Sequence, residues 1–588
     1  MYEVVVGIDF GSSNSGFAYS FNDKKNINHG FIPGANVDNK VPTEIILDDN
    51  NEVVQFGEGC IKYISEKGLN NNHYFKEIKM KLYEKEKKIR AKNSNKELPL
   101  ELVIQKVLEK IKELAIEDIV KKRPNLKGKI EKFKWVVTIP AIWTEYQKNV
   151  MMEASIKAGL IDENADKSLF FALEPEAASL YCSVNQDIDQ NFFKKGESYI
   201  VCDLGGGTGD IVAHLVGSNN NLNEIHPACG GKFGANEIDK LIYEEIILPL
   251  FGCKDFNNFY KKYKKMNKNK EDNDDDDDDD DGAELLKEWS ELEREIKDFK
   301  EGITMEDVEN NSKHPINFSI FKDIFDEGIK LNDLINEYNS NISENELKLN
   351  SKKIKNKWII EFPYKILYKY LKNQSDSICK IINDILSNEN IKTIIFVGGY
   401  CNNKVLLELI KKGLKNNINP LQPSKPCLSI MEGAVLFGIE PSSINIRKSK
   451  YTIGGDFRAF WDEEKHSEKG IKIFDQNTNE WVCSDCFDKF IEINQSIKLN
   501  EKITKSYFMS GKRFYLIDFF KTLKSNPTFT FEEGMEFIGK CELDLGREYE
   551  KYEDRKINVT MKFGGTFIDV SAIHLKSGKS VKAKLLFN

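Results

Sequence analysis

The sequence predicts an α/β domain followed by a mainly β, sandwich-like C-terminal domain. Three observations carry that prediction. Two Gly-rich hairpins of one design stand at Tyr2–Phe21 and Tyr199–Val216. Strands and helices alternate from residue 1 to about 215. From about Ile446 the helical period gives way to short alternating runs with Gly-containing turns, as in stacked antiparallel sheets.

In YIVCDLGGGTGDIVAHLV, a strand Tyr199–Cys202 ends in the carboxylate Asp203. Gly205, Gly206, Gly207 and Thr208 follow, and then a second strand, Asp210–Val216. Three consecutive glycines pack nothing inside a strand, but they suit a loop whose N–H groups must approach an oxyanion. Asp203 is placed to hold Mg²⁺ through its water shell. The N-terminal hairpin repeats the design: strand Val4–Ile8, carboxylate Asp9, turn Gly11-Ser12-Ser13-Asn14, strand Gly16–Phe21. Two such loops face to face clamp a nucleoside triphosphate and its metal.

Length and composition set the frame. At 588 residues the chain exceeds one hydrophobic core, and its 40% hydrophobic and 30% charged content is that of a soluble protein. The net charge of −9 is matched by nine aspartates, Asp272 and Asp274 to Asp281, so no general attraction to nucleic acid follows. Eleven scattered cysteines fit a reducing compartment, and no apolar run reaches the length of a membrane span. The expectation is a cytoplasmic protein without membrane insertion. Cys483-Ser484-Asp485-Cys486 has no second CxxC or nearby His pair, so a four-ligand zinc site is not predicted.

Between the hairpins, His73–Tyr83 carries Lys76, Lys79 and Lys81, any of which is long enough to reach a phosphate. Leu100–Val120 has helical periodicity, Lys134–Ile139 reads as a strand and Thr144–Ala158 as a helix. Glu174, on a strand end before Pro175, is a candidate to orient water or the metal. Gly230 and Gly231 precede a helix over Ala235–Ile247, a further anion site. Residues 254–283 read as a disordered acidic insertion. A helix over Leu285–Phe299 sets Glu293 and Lys297 four apart on one face, and another helix is expected over Ile359–Leu386. Gly398, Gly399 and Tyr400 end a buried strand, where an adenine or ribose can lie flat on the backbone. The helix Glu432–Ile439 closes a first domain, 1–440; a second, 446–588, follows.

Taken together these motifs resemble the 70-kDa heat-shock protein family of the actin-like ATPase superfamily. GIDFGSSNSG and DLGGGTGDIV resemble the two phosphate motifs, VVTIPAIWTEYQKNVMMEASIKAG the connecting segment, LEPEAASLY the Glu-Pro-x-x-Ala-Ala pattern and IIFVGGY the adenosine motif. FAYSF and DCFDKFIEINQSI are most similar to the divergent heat-shock 70-kDa protein 12 branch. The end of the chain, from Ile557, resembles the family's peptide-binding β-sandwich.

The resemblance implies a two-lobed actin-like ATPase with ATP or ADP and Mg²⁺ between its lobes. It implies Asp9 and Asp203 on the hydrated metal, and Gly11, Ser12, Ser13 and Gly205 to Thr208 on phosphate. Lys79, Glu174, Asp203 and Thr208 form the implied catalytic set. Gly230 and Gly231 follow the phosphates, Glu293 and Lys297 approach the ribose, and Gly398 to Tyr400 the adenosine. Protein or peptide clients on 446–588 and cochaperones are the implied partners. Three departures are expected to matter: Asn402-Asn403 in place of an adenine-stacking arginine, EPSSINIRKSK in place of a hydrophobic acidic linker, and the expected lack of a helical lid. The linker is therefore expected not to dock, and nucleotide to control the C-terminal domain weakly. The leading reading is a slow ATP-dependent chaperone-type ATPase. Its alternatives are a nucleotide-binding regulatory or scaffold protein with little turnover, and a metabolite kinase of the same superfamily.

Overall fold

The computed structural model describes the chain except residues 1, 25, 37, 162–167, 261, 263–279, 319–330, 355–356, 416–417 and 585–588. It is a mixed α/β structure with several sheets. Two of them share one plan. In the first, the antiparallel hairpin Val4–Asp9 and Asn14–Ser20 continues through parallel pairing to Phe133–Ile139 and Leu169–Leu173. In the second, the hairpin Ser198–Leu204 and Gly209–Val216 continues in parallel to Thr393–Val397 and Asn419–Leu421. Both leading strands are largely apolar on both faces and buried, apart from the half-buried Ser198, which requires a layer on each side of the sheet.

The inner layer is a pair of helices, Glu174–Val184 and Ser429–Ile439, whose side chains join those of both sheets in one core. Their small residues bring backbones into contact: a Cβ on Gly433 would lie 1.8 Å from the Ala177 carbonyl oxygen. On the outer face of the first sheet, Leu100–Lys122 packs beside Glu145–Lys157, which Thr144 and Gln147 open with a reciprocal capping box. On the second sheet's outer side lie Ala235–Ile242, Asp280–Gly302, Tyr364–Asn388 and Lys404–Gly413.

Several expectations are corrected. The helix expected over Ile359–Leu386 starts at Tyr364; Lys357–Pro363 is a strand, paired with Lys313–Asn317 and Asn350–Ile354. Pro363 explains the change, because a proline sits easily before a helix but not within it. The helix over Ala235–Ile247 stops at Ile242 and widens into a π-helical segment, Tyr243–Ile247. Part of the stretch 254–283, expected to be disordered, is ordered. Phe259 is fully buried against Phe251 and Trp289, and a helix already runs from Asp280. Aromatic burial outweighs the charge bias there. The acidic run itself, 272–279, lies outside the described residues.

From Thr452 onward nearly every element is a strand. Ile471–Asp475, Glu480–Ile491, Thr452–Phe460, Phe514–Thr522 and Glu536–Asp544 form one sheet. Glu501–Phe508, Lys556–Phe563, Asp569–His574 and Ser580–Lys584 form another. Alternate residues such as Ile557, Val559, Met561 and Phe563 share a core with Phe457, Phe519 and Ile538. The segment from Glu440 to Lys450, expected to stay undocked, is also corrected. Ile444–Lys448 joins the second sheet beside Leu222–Gly231, and Ser496–Lys498 pairs with its other edge. Backbone pairing therefore runs across the expected 440/446 boundary.

Candidate nucleotide site

The two hairpin loops meet. A Cβ on Gly206 would lie 2.1 Å from Ser13 Oγ, and one on Gly207 would lie 2.5 Å from Ser12 Oγ. Only glycine allows this approach. Ser13 Oγ donates to Asn236 Oδ1 (2.8 Å), while Asn236 and Ala235 donate their N–H groups to Gly206 and Gly205. The second loop is thereby seated on the start of the helix Ala235–Ile242. Gly205 N–H closes its own loop on the Thr208 carbonyl, and Thr208 is buried. In the first loop, Gly11 is braced by Ser15 Oγ and by Thr43 Oγ1, which donates to its carbonyl (2.8 Å).

Beneath the loops lies a floor of buried carboxylates: Asp9, Glu174, Asp203 and Asp210. Asp203 and Asp210 are direct cross-strand partners, so both side chains fall on one face of the hairpin. Sequence reasoning passed over Asp210 as a strand start. Its spacing, seven residues after Asp203 across a tight hairpin, was the available signal. Asp210 Oδ1 accepts the Ile142 N–H (3.0 Å). Asp203 is different: its Oδ1 is buried without a hydrogen-bond partner. Burial, then the charges of Glu174, Asp210 and Asp9, hold its carboxyl well above the usual range.

Lys79 enters the floor from the short helix Ile78–Tyr83, whose preceding residue Glu77 has a left-handed φ of 63°. Its ammonium meets Glu174 Oε1 at 2.5 Å, with both side chains buried. Glu174 opens its helix, followed by Pro175. Burial pushes its carboxyl up to about 7, against the pull of Lys79. Lys81 instead pairs at the surface with Glu84 (3.0 Å). A second lysine, Lys40, which sequence reasoning had not singled out, donates to Asp9 Oδ2 (2.6 Å).

The structure separates the remaining site candidates. Gly230 pairs with Asp210 and Gly231 with Gly209, lining the hairpin's flank. Gly398, at φ 88°, packs under the floor, where a Cβ would strike Leu204 O and Asp203 Oδ1. Gly399 faces open space, whereas Tyr400 turns into the core and donates to Gln374 Oε1 (2.7 Å). Glu293 is held by Lys76 (2.6 Å), while Lys297 is exposed and lies 3.9 Å from Glu301. Asn403 caps the helix Lys404–Gly413 and donates to the Lys300 carbonyl, so its amide is committed to the fold.

The structure carries no ligand, and the floor fits a divalent cation. A buried carboxylate oxygen without a donor, among further carboxylates, is the oxygen-rich and uncompensated setting that Mg²⁺ takes.

A second cluster lies in the β-rich part. A bulge, with Asp485 at φ 57°, turns Cys483 and Cys486 to the same side of their strand, within 4.8 Å of each other and of His466. His466 Nδ1 accepts the Asp462 N–H (2.9 Å), so Nε2 keeps its proton and points it toward Cys486 Sγ (3.9 Å). That tautomer opposes metal ligation, which needs Nε2 unprotonated.

The seam between Ile444–Lys448 and the earlier residues borders the site. Arg447 makes a buried bidentate pair with Glu176 (2.7 and 2.6 Å), two residues after Glu174. The Lys448 N–H donates to Glu224, and Lys450 Nζ to the carbonyl of Ala141, beside the Ile142 that holds Asp210. Farther out, Thr566 Oγ1 donates to the Phe171 carbonyl, and Phe567 packs edge-on against Phe171.

No protein-family model matches the chain. It is 25% identical to human "Heat shock 70 kDa protein 12A" over 99% of its own length and 91% of that protein. It is also 25% identical to human "Heat shock 70 kDa protein 12B", over 100% and 91%. Against "Chaperone protein DnaK" of Thermosipho melanesiensis, identity is 28% over 41% of this chain and 35% of that one. Over nearly its whole length, then, the chain is similar to the 12A and 12B heat shock 70 kDa proteins, and over part of it to DnaK.

Proposed function

We propose that the chain is a chaperone-type protein that binds ATP with Mg²⁺ between residues 1–440 and hydrolyses it slowly. The observation that carries this reading is the buried Lys79–Glu174 pair beside the unpartnered Asp203, under two glycine loops. The relatives named as heat shock and chaperone proteins support it. When bound, the metal would be held through Asp203 and its neighbours and would offset developing charge on the phosphoryl oxygens. Catalysis of this kind is mostly positioning and charge stabilisation. The loop N–H groups of Gly205 to Thr208 hold phosphate oxygens. The Lys79 ammonium offsets charge on the transferred group. Glu174, with proton affinity near neutrality, orients the attacking water and takes its proton.

Residues 446–588 are proposed as a protein-binding region. Its outer face exposes Phe460, Phe514, Leu516 and Leu523, each more than half accessible. A regulatory reading with little turnover draws on one observation: the serine and glycine loops are in direct contact, so phosphate entry requires them to part. Calorimetry with MgATP and single-turnover hydrolysis, with and without an unfolded peptide, test both. Wild type should bind and turn over; Glu174→Gln should bind without turnover; Gly206→Val should not bind, because its side chain meets Ser13. Unchanged ATP affinity in Gly206→Val would refute the two-loop site.

A further inference from the structure

Asp9 and Asp203 end equivalent strands and open equivalent loops, yet only Asp203 lacks a partner. Asp9 Oδ2 accepts the Lys40 ammonium at 2.6 Å, and its Oδ1 faces Thr138 Oγ1 at 3.4 Å. Lys40 is itself fixed. Its Nζ donates to the Cys427 carbonyl (2.7 Å), and its stem crosses Gly16, where a Cβ would sit 3.0 Å from Lys40 Cγ. Asp9 and Lys40 are both buried, so this is not a solvated surface pair. An ammonium carries three N–H donors. Among the described residues two are used, which leaves one for a ligand oxygen.

We propose that Lys40 is a resident cation of the phosphate cleft, meeting the charge of Asp9 and contacting bound phosphate, so that only the Asp203 side needs a metal ion. The proposal rests on the nucleotide reading above and adds that phosphate binding survives removal of divalent metal. A bound cation is often the largest local charge in a phosphate site, and a fixed ammonium supplies part of that charge without one. A purely structural Lys40, tying the Cys427 loop to the first sheet, predicts instead that metal dependence is the same with or without it.

The test is the affinity of N-methylanthraniloyl-ADP, read by fluorescence in Mg²⁺ and in EDTA, for wild type, Lys40→Arg and Lys40→Met. Chelation should weaken wild type by less than about tenfold and Lys40→Met by about a hundredfold or more, with Lys40→Arg near wild type. In Mg²⁺ the Lys40→Met affinity should fall by less than it does in EDTA, because the ion can then serve Asp9 as well. Direct Mn²⁺ titration followed by electron paramagnetic resonance should show tighter nucleotide-free binding in Lys40→Met. Equal weakening of wild type and Lys40→Met on chelation would overturn the proposal. Should Lys40→Met fail to fold, the double variant Asp9→Asn/Lys40→Met, which removes both charges, should fold and lose metal-free binding; retained metal-free binding would overturn the proposal. No binding to wild type in either condition would sink the nucleotide reading and this inference with it. Binding in Mg²⁺ that vanishes in EDTA would sink this inference alone.

Discussion

Buried charge is handled in two ways a few residues apart. At the seam, Arg447 and Glu176 satisfy each other with two parallel hydrogen bonds, and Glu224 accepts N–H groups from Ala228 and Lys448. On the cleft floor, Lys40 and Lys79 face four carboxylates, and Asp203 keeps an oxygen with no partner. A paired buried charge holds a structure together, whereas an unpaired one costs stability and is retained where a ligand completes it. The seam is built as structure and the floor as a site.

That contrast is sharpest under mutation. Arg447→Met leaves Glu176 buried without its partner and should cost about 3–5 kcal/mol in urea unfolding. Replacing both, Arg447→Met with Glu176→Met, should recover most of the loss, since apolar pairs of similar volume are often neutral. Comparable losses in the single and double variants would place the seam's strength elsewhere.

Acid probes the seam next. His214 is buried next to it and held neutral: Ser179 Oγ lies 2.8 Å from Nδ1, and desolvation, then the Arg447 charge, lower its pKa from 6.5 to about 3. Because the folded value is depressed, its contribution is complete above 6.5 and is lost as pH falls toward 3. By pH 5 this group should cost about 2 kcal/mol. A His214→Gln variant should show a flatter acid limb in thermal unfolding between pH 7 and 5. An unaltered slope would remove His214 from the account.

The smallest effect is expected on the floor, with opposite sign. Asp203→Asn removes a buried carboxyl whose ionisation the fold disfavours and should raise the stability of the ligand-free protein at pH 8 by about 1 kcal/mol, read by calorimetry, while MgATP binding is lost. A destabilised Asp203→Asn protein would mean that the floor is structural too, and the contrast would fall.

Local chemistry made much of the site legible. The glycine runs, the carboxylates at strand ends and Pro175 after Glu174 are properties of adjacent residues, and backbone sterics act over that range. Phe259, buried in a charge-rich stretch, and the strand Lys357–Pro363, read as helix from Ile359, were decided by partners far along the chain. Lys40 illustrates the limit. Nothing around it in the sequence distinguishes it from other lysines, and its role depends on Asp9 and Cys427 meeting it in space.

The sequence by itself determined the twin hairpins, their order, the buried character of their strands and the likeness to the heat shock 70 kDa proteins, because periodicity and glycine placement are written residue by residue. The tertiary structure alone decided which acids are compensated. It paired Asp9 with Lys40 and left Asp203 open; it set Asp210 opposite Asp203, took Glu293 for Lys76 and docked Ile444–Lys448 through Arg447. The physical reason is range. Backbone preferences act between neighbours, whereas charge compensation inside a protein depends on distance and burial, which sequence separation does not encode.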